Sequence, residues 1–160
     1  MQKKEIKLTP KQALLKLASY CAYQERSHYE VKNKLAEYGV FYNDAEQVIA
    51  ELIIQNYLNE ERFAKAFAGG KFRVKKWGRN KIKQELKLKQ VSDYCIQQGM
   101  KEIDFDDYLQ TLKEEALAKY DTLKDKNYLI KANKTAKYLV SRGFETDLVW
   151  DIVKKINSNN

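Results

Sequence analysis

The chain has 160 residues, 44% of them hydrophobic and 32% charged, which permits a buried core and excludes a disordered chain. No apolar run approaches the roughly 18 residues of a membrane span. Met1-Gln2-Lys3-Lys4-Glu5 begins with charge and no apolar stretch follows it, so no leader is expected and the cytoplasm is the default compartment. The net charge of +8 is gathered in one place: residues 71–89 hold nine Lys and Arg against Glu85 alone. A concentrated excess of that kind points to a polyanion, nucleic acid above all.

One proline and six glycines interrupt the chain. Strand alternation is nowhere sustained while helical spacing is nearly continuous, so the fold class is all-α. Thr9-Pro10-Lys11-Gln12 is a capping box with Pro at the first helical position. It opens a helix to about Tyr23 with Ala13, Leu14, Leu17, Ala18 and Cys21 on one face. Ser27-His28-Tyr29-Glu30 opens a second helix, through Val31 and Leu35, that stops at Gly39. Asn43-Asp44-Ala45-Glu46 is expected to open a third. Asn59-Glu60-Glu61 opens a fourth, whose Phe63, Phe67, Gly70, Val74 and Trp77 form the expected core face and which Gly78 breaks. A fifth helix runs from about Arg79 to Lys89, and Ser92-Asp93 caps a short sixth. A seventh spans Asp104 to about Tyr120, and an eighth Lys126 to Arg142, ending at Gly143. Thr146 is the expected cap of a ninth.

Nine helices fall into three groups of three: residues 9–57, 58–103 and 104–157. The middle helices align. Val31, Leu35, Gly39 and Val40 match Ile82, Leu86, Gln90 and Val91, and Leu139, Gly143 and Phe144 continue the series. Three tandem three-helix repeats stacked side by side would make an elongated, curved, solenoid-like molecule, suited to binding along an extended partner.

In the basic stretch, Arg79, Lys83 and Lys87 lie four apart on one helix face while Ile82 and Leu86 point to the core. Lys76 extends that stripe backward, and Lys71 and Lys75 are also four apart. Like charges at this spacing repel, which favours an external anion. Phe72, Arg73 and Trp77 interleave rings with cations and are able to stack bases, although Trp77 sits in the core pattern. A helix–turn–helix reader of DNA is a rival reading. Its recognition helix would offer mostly lysine, which suits backbone contact more than base readout.

Chemistry is sparse elsewhere. Gly69-Gly70-Lys71 lacks the spacing and the following Ser or Thr of a phosphate loop. His28 is the only histidine, and Cys21 and Cys95 form no paired motif and read as buried thiols. Asp104, Asp106 and Asp107 complement a helix dipole. No catalytic residue, cofactor or metal ligand is expected, and the protein is not read as an enzyme. Tyr20, Tyr38, Tyr57 and Tyr138 fall on apolar faces and read as core.

The run Asn56-Tyr57-Leu58-Asn59-Glu60-Glu61-Arg62-Phe63-Ala64, the basic stretch, and Trp77-Gly78-Arg79-Asn80-Lys81-Ile82 together resemble the central signature of RecX regulatory proteins. Ser27-x-x-Glu30-Val31-x-x-Lys34-Leu35 and Lys137-Tyr138-Leu139-x-x-Arg142-Gly143-Phe144 extend the resemblance over about residues 10–156. The resemblance implies three tandem three-helix repeats. Its implied partner is the RecA recombinase on single-stranded DNA; double-stranded DNA is a further candidate ligand of the basic stretch. Its implied effect is inhibition of RecA's ATP hydrolysis, strand exchange and co-protease action. Gly69-Gly70 departs from the larger residues usual in the family. Lys71, Arg73, Lys75, Lys76, Arg79, Lys83 and Lys87 are the residues expected to face the filament, and Arg62 is expected to support the fold. A monomer is the simplest state. The alternative is a stand-alone DNA-binding architectural protein or repressor.

Overall fold

The computed structural model describes residues 7–158. Met1–Glu5, read above for the absence of a leader, lies outside the described residues. All regular structure among the described residues is helical, in nine helices: α1 Pro10–Tyr23, α2 His28–Glu37, α3 Tyr42–Ile54, α4 Glu60–Lys75, α5 Arg79–Leu88, α6 Asp93–Met100, α7 Phe105–Thr122, α8 Tyr128–Ser141 and α9 Thr146–Ser158. The all-α expectation holds. No helix among the described residues is long and apolar enough to cross a membrane.

Local capping sets most helix starts. The Thr9 hydroxyl accepts from the Gln12 amide while the Gln12 side chain accepts from the Thr9 amide, and Pro10 occupies the first turn. Ser27, fully buried, accepts from Glu30, Asn59 from Arg62, Ser92 from Cys95 and Asp104 from Asp107. Three starts differ from the sequence reading. Helix α3 begins at Tyr42, after Phe41, with no side-chain cap, so Asn43 lies inside the first turn. Helix α8 starts at Tyr128, capped by Asn127. Thr146 is the first residue of α9 rather than its cap, because the Val149 amide bonds to the Glu145 carbonyl.

Helices α2, α5 and α8 end alike, at the three positions the repeat aligned. Gly39, Gln90 and Gly143 all adopt left-handed φ, at 73°, 58° and 100°. The amides that follow, of Val40, Val91 and Phe144, bond back to Leu35, Leu86 and Leu139 at 2.9, 3.2 and 3.2 Å. Each is the six-to-one bond that closes a Schellman ending, and its apolar residue is buried.

The chain forms two compact units. The first comprises the described residues up to Ala66 together with Leu86–Gly99. Its helices α1, α2 and α3 pack pairwise around Ala13, Leu17, Cys21, Val31, Leu35, Val48 and Leu52. Arg62 ties this unit together from its surface. Its guanidinium donates to Glu25 Oε1 at 2.6 Å, Asn56 Oδ1 at 3.0 Å and the carbonyls of Asn56 and Tyr57 at 3.1 and 3.3 Å. Gly99 lies against Ala64, where a Cβ would sit 2.7 Å from the Ala64 carbonyl oxygen.

The second unit comprises Phe67–Glu85 and the described residues from Met100 onward. Helices α7, α8 and α9 pack pairwise. Tyr108 is completely buried, with its ring 5.8 Å from Phe72 and 5.4 Å from Phe144.

The buried positions of α4 are Phe63, Ala64, Ala68, Gly69 and Phe72, not the Phe63–Phe67–Gly70–Val74–Trp77 series. Val74 is 76% exposed and Trp77 half-buried. Ala64, Ala68 and Gly69 make up most of the true stripe, and such small residues give little hydropathy signal. The tyrosines also move: Tyr20, Tyr38 and Tyr138 are half-buried, Tyr57 is exposed, and Tyr108 and Tyr120 are the buried ones. Their hydroxyls favour positions where one end of the ring stays wet.

Candidate nucleic-acid interface

The nine cations of residues 71–89 separate into two sets. Four are engaged locally. The Lys71 ammonium stands 5.0 Å from the Trp77 ring centroid and 5.5 Å from that of Phe67, and Lys81 stands 4.5 Å from Trp77. The indole is therefore a seat for two ammonium groups. Lys89, in the first unit, pairs with Glu30 at 2.8 Å. Arg79, in the second unit, is held by Glu145: its Nε donates to Oε2 at 2.8 Å and its Nη2 donates to the same oxygen.

Arg79 is also the centre of a closed network. Its backbone amide donates to the Tyr108 hydroxyl at 3.0 Å, and that hydroxyl donates to Glu145 Oε1. The guanidinium lies 4.6 Å from the Tyr108 ring centroid and 5.6 Å from that of Phe105. Burial opposes the charge on Arg79, but the hydrogen bond and charge of Glu145 outweigh it and hold the guanidinium protonated. Burial, then the bond to Glu145, pushes the Tyr108 phenol well above its ordinary value. Sequence places Arg79 on a basic stripe, but nothing local announces its acidic partner, 66 residues away.

The other five cations are exposed: Arg73, Lys75, Lys76 and Lys83 in the second unit, and Lys87 in the first. None of them has an ion pair among the described residues. Lys76, with φ 56°, ends α4 in the left-handed region. The Arg73 guanidinium lies over Gly69, where a Cβ would come within 2.8 Å of both terminal nitrogens, while nothing stands within 4 Å of a Cβ on Gly70. Gly69, and not Gly70, thus leaves Arg73 room to lie back along its helix. Phe72 is buried and not free to stack on a base.

The turn between α4 and α5 is joined to the end of α8. The Gly78 amide donates to the Arg142 carbonyl and the Asn80 amide to the Gly143 carbonyl, both at 2.9 Å. The Arg142 guanidinium donates to the Lys75 carbonyl, closing the C-terminus of α4. Two separate sequence signatures, Trp77-Gly78-Arg79 and Arg142-Gly143-Phe144, are thus two sides of one joint. No group of His, Cys, Asp and Glu able to hold a metal ion occurs among the described residues.

A family model described as "RecX, second three-helix domain" matches residues 59–100. The regulatory protein RecX of Acinetobacter baylyi is 31% identical over 133 residues, covering 83% of this chain and 80% of that protein. The chain belongs to the RecX family. The regulatory protein RecX of Clostridium perfringens strain 13 is 33% identical over 133 residues, and that of Lactobacillus johnsonii 36% over 98. These alignments cover 81% and 61% of this chain, and the chain spans only 61% and 36% of those two RecX proteins. The crystal structure of RecX from Lactobacillus salivarius superposes with a TM-score of 0.84 at 19% identity, over 93% of this chain and 97% of that one. A second crystal structure of regulatory protein RecX gives 0.83 at 18%, over 92% and 73%. At those identities the superpositions establish the RecX fold.

Proposed function

We propose that this RecX-family chain binds the filament of RecA on single-stranded DNA and restrains RecA's ATP hydrolysis, strand exchange and co-protease action. It acts in the cytoplasm, as a monomer, and without chemistry of its own. Three consecutive three-helix repeats, residues 9–57, 58–103 and 104–157, are its working modules.

The observation that carries this reading is the set of five exposed cations, Arg73, Lys75, Lys76, Lys83 and Lys87, with no ion pair among the described residues. Lysine-rich, base-blind surfaces of this kind favour a phosphate backbone. Lys71 and Arg79, engaged with Trp77 and Glu145, serve by positioning their neighbours. The test is ATP hydrolysis by RecA on single-stranded DNA with the protein titrated in at fixed salt. The wild type is expected to inhibit, and K83E/K87E to lose that inhibition while melting as the wild type does. No effect of the folded wild type would overturn the reading. Sequence-preferring binding to duplex DNA without RecA would favour the stand-alone DNA-binding alternative.

A further inference from the structure

A separate cationic cleft lies in the second unit, where residues 104–160 carry no net charge. Lys134, Lys137, Tyr138 and Ser141 are three or four residues apart along α8 and share a face. With Lys119 and Leu123 from the end of α7 they line a shallow, open cleft of about 380 Å³. Its lining holds three ammonium groups and no carboxylate.

The three lysines differ in their partners. Lys134 is held by Asp125 at 2.9 and 3.1 Å, and that hydrogen bond keeps the Asp125 carboxyl below its ordinary range. Lys119 lies 4.7 Å from the Tyr138 ring centroid. Lys137 is exposed and has no ion pair among the described residues. Glu115 is the one carboxylate in the adjoining hollow, which Lys119 and Tyr138 also line. The Ser141 hydroxyl donates to the Tyr138 carbonyl at 2.5 Å.

We propose that this cleft binds a phosphodiester of single-stranded nucleic acid. Lys119 and Lys137 take the phosphate oxygens, and Tyr138 with Leu123 receives the neighbouring sugar or base. Single strands suit such a site because their bases are free to reach a ring beside a cation. An acidic protein segment would need an apolar residue in register beside its carboxylate to use Tyr138 and Leu123, whereas every nucleotide carries a sugar and a base beside its phosphate. The inference rests on the preceding reading for its partner class alone, since the cleft lies outside the basic stretch of residues 71–89.

The test uses the full chain, short oligothymidylate and no RecA, so that its failure is separable from failure to inhibit RecA. In the ¹⁵N-labelled protein, oligothymidylate is expected to shift the amides of Lys119, Lys137 and Tyr138. Removing one phosphate contact by K137E is expected to lower the slope of log affinity against log salt by about 0.7, and to weaken binding severalfold at low salt. K137Q, with less disturbance, is expected to lower the slope equally. Equal binding and an equal slope for folded K137E and K137Q would overturn the inference and leave the filament reading standing. Identical shifts with polyglutamate at matched charge would overturn it in favour of an acidic protein partner.

Discussion

Gly78 and Gly143 touch backbone to backbone: a Cβ on Gly78 would overlap the Gly143 carbonyl carbon and the Phe144 nitrogen. The overlap is with main chain, which no rotamer change relieves. Gly78→Ala is therefore expected to cost about 3 kcal/mol through forced separation of the joint. Urea unfolding followed by tryptophan fluorescence measures it. A loss below about 1 kcal/mol, the scale of a helix-propensity change, would show that the joint yields easily.

Glu145 serves Arg79 and Tyr108 at once. Glu145→Gln removes the charge from a pair whose side chains are 30% and 22% exposed, and is expected to cost about 1–2 kcal/mol after allowance for solvent. Arg79→Glu, which sets two carboxylates together, is expected to cost more, whereas Lys83→Glu is expected to leave the melting temperature unchanged. Thermal melts of the three variants check the order.

The Tyr108 phenol gives a pH signature. Folding favours its protonated form, first through burial and then through its bond to Glu145. Its contribution to stability is whole below the unfolded value of about 10 and is lost as pH rises beyond it. Tyr108→Phe should therefore be less stable than the wild type near neutrality, because the Arg79 amide loses its acceptor. The gap is expected to narrow above about pH 10. Paired urea titrations across that range read it directly.

Gln90 occupies a left-handed position that Gly39 and Gly143 fill in the other two groups. Gln90→Gly is expected to stabilise the protein by about 1 kcal/mol, and Gly39→Ala to destabilise it by a similar amount. Gln90 is exposed, so the change removes little packing. An unchanged or lower urea midpoint for Gln90→Gly would count against the strain argument.

What sequence shows well here is what neighbours decide. Caps at Thr9, Ser27, Asn59 and Ser92 act within three residues, and the structure has all four, while Asp104, read as the first residue of α7, is its cap. The endings at Gly39, Gln90 and Gly143 are equally local, which is why an alignment of apolar residues found them. What sequence hides is decided at a distance. Tyr42 starts α3 with φ 54° and no side-chain cap to mark it. Ala64 and Ala68 are buried although their small side chains add little to an apolar pattern. Arg79 looks like one more cation until Glu145 is beside it. The cleft of Lys119 and Lys137 was not legible because the acids of the third group cancel its charge in any sum along the chain.

The two compact units also differ in which probes they carry. Both cysteines, Cys21 and Cys95, belong to the first unit and both are buried. Burial moreover pushes the Cys21 thiol above its ordinary value. Both tryptophans, Trp77 and Trp150, belong to the second. Labelling by a thiol reagent thus clocks the opening of one unit, and indole emission follows the other. The native chain, without an added dye, is equipped to tell whether its halves melt together or in turn.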